Sequence, residues 1–436
     1  MNSKGIPIVA IVGRTNVGKS SIFNSILKRR EAIVADEPGT TRDSIYGRAQ
    51  HKQHAFWLID TAGVKEAEDD FEFTIQEQIQ QASDSADIIW VVIEANIGLT
   101  DEDRRLAKMA LRTKKPVYLV VNKADKAPKA INSDFERLGI KPIFLTSSTQ
   151  NSGFVDLLDQ LVEDIPKKKN RFNPDTINLA IVGRPNVGKS SLFNALAKKQ
   201  QAIVADRAGT TRDVNRVAIR YESKDIELMD TAGIRRPGKI EKGVESFSVI
   251  RAIAAIEQSD VCLMLIDANE YATSLDLKIA GMVKEAGKGL ILVVSKWDDV
   301  EKDAFTRDDI APKIQHEFDF VPWAPLIFTS AVTGQNVTKI YDLVLQIHKN
   351  RAKIIKTSDL NRWIRRATAE HPPAGLKKTE PKLSYVVQED DNPTNIKVYG
   401  HNARMTHWSY KRYLEKRFRM EYGFEGTPVH FWFFNQ

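Results

Sequence analysis

The 436 residues contain one cysteine. Cys262 has no partner for an internal disulfide, and its setting, VCLMLIDA, reads as a buried core thiol. A reducing cytoplasm is the expected compartment. No apolar run approaches the ~18 residues that a membrane-spanning helix needs. The start, MNSKGIPIVAIVG, runs straight into a strand-like segment, so no secretory signal is expected. Eight histidines and the single cysteine fall at no metal-ligand spacing, which argues against protein-ligated zinc. Negative charge is also in short supply at one end. Residues 352–436 hold 15 Lys/Arg against 9 Asp/Glu, most of the chain's net charge of +7. KKKNR at 167–171 adds a second basic cluster, and the remainder is slightly acidic. A local basic excess favours polyanions, above all nucleic acid; a solvated basic face is the plainer alternative.

What the chain does contain is a repeat. Residues 11–43 and 181–213 align at an offset of 170 with 23 identities in 33 positions. DTAG at 60–63 recurs at 230–233, NKAD at 122–125 answers SKWD at 295–298, and SS at 147–148 answers SA at 330–331. The duplicated unit is therefore a whole domain. Each copy strings together unbroken apolar runs, such as ADIIWVVIEA and GLILVVS, with helical patterns between them. Such runs suit strands buried on both faces, which implies βαβ units and a mostly parallel sheet. The expected domains are 1–165 and 177–351, joined by a basic, Pro-containing linker at 166–176. A third domain, 352–436, reads α-β-β-α-β, with Thr406 the expected N-cap of its last helix and Gly423 its end. Asp298 apart, acidic pairs such as Asp298/Asp299 and Asp308/Asp309 read as solvated.

GRTNVGKS at 13–20 and GRPNVGKS at 183–190 follow a strand and precede a helix, the context of a phosphate-binding loop. Gly18 and Gly188 let backbone N–H groups close around phosphates, beside a favourable helix dipole. Lys19 and Lys189 would reach the β- and γ-phosphates, and Ser20 and Ser190 would ligate Mg²⁺. Gly13, Asn16, Val17 and Ser21, with Gly183, Asn186, Val187 and Ser191, complete the candidate loop residues. NKAD selects the base. The Asp125 carboxylate can accept guanine N1–H and the 2-amino group together, a donor pair that adenine lacks. Asn122 can bond the other base edge and the Lys123 stem can lie over the ring. Ser147 and Ser148 are placed to offer backbone N–H to guanine O6. The second copy supplies Ser295, Lys296, Asp298, Ser330 and Ala331.

The order phosphate loop, TTRD, DTAG, NKxD, SA/SS resembles the translation-factor-related GTPases. That resemblance implies that Asp60 and Asp230 hold Mg²⁺ through water and that Gly63 and Gly233 present N–H to the γ-phosphate. It also implies that Thr41 and Thr211 close onto Mg²⁺ with GTP bound. Lys19, Thr41 and Gly63, with Lys189, Thr211 and Gly233, are the candidate catalytic residues. Val64 and Ile234 follow DTAG, where a water-positioning glutamine stands in Ras-type enzymes. An aliphatic chain cannot orient water. In related GTPases an asparagine at the position of Asn16 and Asn186 helps hold K⁺, which makes these two the candidate K⁺ ligands; capping the loop is the alternative.

The tandem arrangement with a small basic domain ending GFEGTPV resembles the bacterial Der (EngA) family over essentially all of the chain. The resemblance implies an α/β protein of two P-loop GTPase domains plus a small α+β KH-like domain. It further implies GTP hydrolysis and binding to rRNA or a precursor of the large ribosomal subunit. No membrane partner is expected, and a monomer is. A GTPase of tRNA modification and a GTP-gated adaptor with little hydrolysis remain the competing readings. GFEG at 423–426 has the letters of a KH clamp, but it precedes the last strand and carries Glu425, so it reads as a turn. Trp408, Tyr410, Tyr413, Phe418 and the run Phe431 to Phe434 could stack bases, with core packing the commoner fate. The copies differ after DTAG. VKEAEDDFE is acidic and IRRPGKIEKG, with Arg235 and Arg236, is basic, which reads either as solvated loops or as two domains that meet different surfaces or each other. Ser295 replaces the family's asparagine, so weaker guanine binding is expected at the second site.

Overall fold

The computed structural model describes residues 6–28, 46–52, 54–60, 79, 82, 86–127, 133–165, 176–199, 216–230, 252–300, 306–376, 379–389 and 394–435. The chain divides into two compact units, Lys4–Asn170 and Arg171–Gln436. The first holds a six-stranded sheet: β1 (Ile8–Gly13), β2 (Tyr46–His51), β3 (His54–Asp60), β4 (Ile88–Glu94), β5 (Val117–Asn122) and β6 (Ile143–Leu145), in the order β2-β3-β1-β4-β5-β6. Every neighbour pair is parallel except β2 with β3. Every residue of β1, β4 and β5 is buried, as the unbroken apolar runs require. The second unit repeats this sheet with β7 (Thr176–Val182), β8 (Arg216–Tyr221), β9 (Lys224–Asp230), β10 (Val261–Asp267), β11 (Gly289–Ser295) and β12 (Leu326–Phe328). Two expected helical segments fold as Phe154–Asp164 and Lys339–Arg351, each burying an apolar stripe on its sheet. Cys262 lies in β10, and burial pushes its thiol up to about 11.

The edge strands β2 and β8 escape the search for apolar runs. YGRAQH and RVAIRY are half polar, because one face of an edge hairpin stays wet.

The third sheet, β13 (Lys382–Glu389), β14 (Thr394–His401) and β15 (Val429–Asn435), packs against helices Thr357–Glu370 and Trp408–Tyr422. β13 runs antiparallel to β14, and β14 parallel to β15. The expected element order is present. Thr406, however, is not the cap. Its hydroxyl turns back to donate to Ala403 O at 2.7 Å, and His407 accepts from Ser409 N instead. Gly423 ends the helix at φ 82°, where a residue without Cβ is at ease.

GFEG is a turn, and it does more than connect. Gly426 N donates to Trp323 O at 2.7 Å, and Leu290 N donates to Gly426 O at 2.9 Å. Asn350 Nδ2 donates to Glu425 O at 2.9 Å, and the Arg419 guanidinium lies over Trp323. The turn thus seats the third sheet's domain on the second six-stranded sheet.

Candidate functional site

At the C-terminal end of β1 the chain turns sharply into helix Lys19–Lys28. The turn leaves no room for side chains. A Cβ on Gly13 would stand 2.6 Å from Val92 O, and one on Gly18, at φ 96°, would stand 2.2 Å from Asn122 Nδ2. Asn16 adopts φ 64°, a left-handed conformation that asparagine tolerates best after glycine. Lys19 is buried, and its Nζ donates to Gly13 O at 2.9 Å and to Arg14 O. Its ammonium therefore lies along the concave side of the loop. Ser20 Oγ donates to Asp60 Oδ2 at 2.6 Å. Two hard oxygen groups separated by 40 residues meet at the loop mouth, the donor chemistry that Mg²⁺ prefers. Val17 is buried and Ser21 is exposed at the helix start.

β5 delivers the second cluster. Asn122 Nδ2 donates to Val17 O at 3.0 Å, tying the base loop to the phosphate loop. Its Oδ1 accepts from Ser148 N at 3.3 Å. Lys123, at φ 59°, bridges Asn16 O and Glu94 Oε1, both at 2.9 Å. Asp125 Oδ1 is buried with no hydrogen-bond partner. An orphaned carboxylate oxygen costs stability unless a ligand donor meets it. The serine loop is closed by its own hydrogen bonds. Ser147 N donates to Ser152 O, closing a tight turn, and Ser148 N faces Asn122, so neither amide is aimed away from the protein.

The second unit rebuilds the same site. Lys189 Nζ donates to Gly183 O at 2.9 Å and Arg184 O at 2.6 Å. Asn186 adopts φ 64°, Val187 is buried, and Ser190 and Ser191 start helix Lys189–Lys199. Asp298 Oδ1 is orphaned like its counterpart. Asp230 ends β9, beside Ile181 of β7. Thr41, Gly63, Val64, Thr211, Gly233, Ile234, Arg235 and Arg236 lie outside the described residues, as do both switch segments and linker residues 166–175.

Comparison with known proteins agrees with this geometry. A family model described as 50S ribosome-binding GTPase matches residues 8–123 and again 178–296. A second, described as the C-terminal KH-domain-like region of EngA bacterial GTPase enzymes, matches 355–433. GTPase Der of Herpetosiphon aurantiacus is 42% identical over 433 residues, covering 97% of this chain and 95% of that protein. GTPase Der of Chloroflexus aggregans is 43% identical, covering 97% and 96%. The chain belongs to the Der (EngA) family of GTPases. Among solved structures, Aquifex aeolicus Era bound to GDP·AlF₄⁻ aligns at 22% identity over 60% of this chain and 93% of that one, with a TM-score of 0.32. No functional reading rests on so low an overlap. Among the described residues no helix of this Der-family chain is long and apolar enough to cross a membrane.

The two sites of this Der-family GTPase differ at the base reader. Ser295 Oγ lies 2.6 Å from Val187 O and 3.0 Å from Ile266 O. One hydroxyl hydrogen serves the phosphate-loop tether, but nothing replaces the Asn122 bond to the serine loop. The next backbone tie is common to both sites, Ala124 N to Thr146 O and Trp297 N to Thr329 O; what the second site adds is the Trp297 ring, packed edge-on against Phe328 at 4.6 Å. Ser330, buried, accepts from Thr333 N at 3.0 Å, and Ala331 sits in the following turn. Burial opposes the charge on Asp267, but Lys296 at 2.7 Å, the Asn269 amide and Arg184 together outweigh it and hold that carboxyl below its usual range. Room exists for a larger reader, since a Cβ on Gly188 would stay 4.0 Å from Ser295 Oγ. Ser295→Asn should therefore tighten GDP at the second site by about 1 kcal/mol. Calorimetry on a chain carrying Lys19→Ala reads that site alone; unchanged affinity would mean that the tryptophan packing already compensates.

Proposed function

We propose that the chain is a GTP-driven switch in maturation of the large ribosomal subunit, gripping rRNA or a precursor particle through its C-terminal domain. Working boundaries are 1–165, 166–176, 177–351 and 352–436. At each site the loop amides and Lys19 or Lys189 would hold the β- and γ-phosphates. The Asp125 or Asp298 carboxylate would take guanine N1–H and the 2-amino group on its two oxygens, one of them the orphaned Oδ1. Ser20 with Asp60, and Ser190 with Asp230, would hold Mg²⁺, which neutralises charge developing on the phosphates. Thr41, Gly63, Thr211 and Gly233 would close over the γ-phosphate. Asn16 and Asn186 would help hold K⁺ where no glutamine is available. A cytoplasmic monomer fits this role.

The observation that carries the RNA reading is the open face of the third sheet. Tyr410, Phe418 and Phe433 are core, Tyr413 and Phe431 pack against it, and Trp408 is exposed, with the Arg412 guanidinium over its ring. The face away from the helices is different. Tyr385 stands beside Tyr399 with ring centroids 6.0 Å apart, and Tyr399 beside Phe434 at 5.3 Å. In the next row Lys397, ion-paired with Glu389, registers with Trp432 and lies over Phe434. Rings on adjacent strands beside a cation form a platform for unstacked bases, in a domain of net positive charge. The family description as 50S ribosome-binding supports the same partner.

The test has three arms. The chain is co-sedimented with 50S particles in GTP analogue, GDP and no nucleotide, and its GTP turnover is compared in K⁺ and Na⁺ at equal ionic strength. Tyr399→Ala with Phe434→Ala is then titrated with single-stranded RNA, where about tenfold or greater loss is expected from base–ring stacking. Particles that ignore the protein in every nucleotide state would remove the ribosomal role. RNA affinity indifferent to both rings would remove this face as the contact, and equal turnover in both salts would remove K⁺.

A further inference from the structure

The phosphate loops look interchangeable in sequence, yet they are fastened differently. In the first site Arg14 Nε donates to Asp103 Oδ1 at 2.8 Å, and the Asp103 side chain is fully buried. Asp103 Oδ2 accepts from Thr100 N and Thr100 Oγ1, closing a capping box on helix Asp101–Arg112. The loop is thus pinned to the end of a helix by a buried, charge-assisted bond.

The second site keeps Arg184, Thr273 and Asp276, the last with a fully buried side chain heading the equivalent helix Ser274–Glu285. The pin, however, is loose. Arg184 Nε stands 3.7 Å from Asp276 Oδ2, and both Arg184 Nε and Asp276 Oδ1 are buried without hydrogen-bond partners. Burial raises the Asp276 carboxyl above its usual range. The guanidinium has turned instead to Glu270, with Nη1 2.5 Å from its carboxylate and Nη2 donating to its carbonyl at 2.8 Å. At the spacing that relates Lys123 to Lys296, the counterpart of Glu270 is Ile97, which has no charge to offer. Both positions are exposed, 58% for Ile97 and 66% for the Glu270 side chain.

We propose that residues 97 and 270 set the stiffness of the two phosphate loops, Glu270 drawing Arg184 off its buried anchor and so making the second site the faster to release nucleotide. A loop held in its binding shape loses less freedom when phosphates arrive, so a tight pin means slow release. Arg14 and Arg184 act here as positioning residues, through the loop backbone that follows them.

The proposal rests on the nucleotide reading of both sites, and reciprocal exchange tests it. In a Lys189→Ala chain, which reports the first site, Ile97→Glu should speed GDP dissociation about fivefold. In a Lys19→Ala chain, Glu270→Ile should slow it about fivefold, the scale of part of one charge-assisted hydrogen bond. Stopped-flow release of a fluorescent GDP reads both. Opposite shifts at unchanged unfolding temperature support the proposal, since a merely structural role would lower stability and move both variants the same way. Unchanged rates, or shifts of one sign, overturn it. If Glu270→Ile does not fold, Glu270→Gln removes the charge at nearly constant size and carries the same expectation. A parent chain that bound no GDP at either site would instead overturn the nucleotide reading itself.

Discussion

Asp125→Ala should cost the first site at least about a hundredfold in GDP affinity while leaving the fold as stable as before. Two hydrogen bonds to an ionised acceptor would be lost, at roughly 1.5–3 kcal/mol each. Stability should not follow, because Asp125 Oδ1 is buried without a partner in the protein itself. Removing an orphaned, desolvated oxygen relieves a cost; only a ligand donor gives that oxygen a favourable role. The decisive control is inosine diphosphate, which lacks the 2-amino group. The parent chain should prefer GDP over it by about tenfold for one charge-assisted bond, and Asp125→Ala should erase the preference. Asp298→Ala should do the same at the second site, where the orphaned oxygen recurs. Calorimetry in single-site backgrounds checks both. An unfolding midpoint that drops with affinity, or an intact GDP preference, would mean that these aspartates support the loop and do not read the base.

The contrast between that pair and Arg14 or Arg184 shows where sequence reading stops. Gly18, Lys19, Asn122 and Asp125 could be found because local motifs specify them. Their fixed spacings encode a strand, a turn and a helix start. β1, β4 and β5 could be found because strands buried on both faces leave continuous apolar runs. The edge strands β2 and β8 could not, since a half-wet strand carries half the signal. The union of Arg14 with Asp103 spans 89 residues and belongs to no motif. Only the repeat offered a clue, because Asp103 and Asp276 occupy equivalent places, each three residues after a threonine. The partners of the Ser147 and Ser148 amides were out of reach for a related reason. Their hydrogen bonds depend on how a three-residue strand, β6, enters a tight turn, which residue types alone do not fix.

Gly426→Val should unseat the C-terminal domain from the second GTPase domain without unfolding either. The glycine sits at φ 70°, a region that a β-branched residue adopts only under strain. Its Cβ would lie 2.2 Å from Cγ1 and Cδ1 of Ile347, itself part of the second domain's core. Overpacking and left-handed strain together amount to about 2–4 kcal/mol. That cost falls on the backbone bonds from Gly426 to Trp323 and Leu290, because these hold the turn against Ile347. The third sheet has its own core, from Leu360 and Trp363 through Ile396 to Phe418; the turn sends Phe424 into it, whereas Gly426 faces Ile347. Undocking should therefore split thermal unfolding into two transitions and expose the stretch 423–428 to protease, while GDP binding at the second site persists. Ile347→Ala in the same chain removes the atoms in the way and should restore part of the docking. One cooperative transition at the parent temperature would show that the turn yields without breaking contact. Loss of GDP binding would show that the domain is a structural part of the nucleotide site.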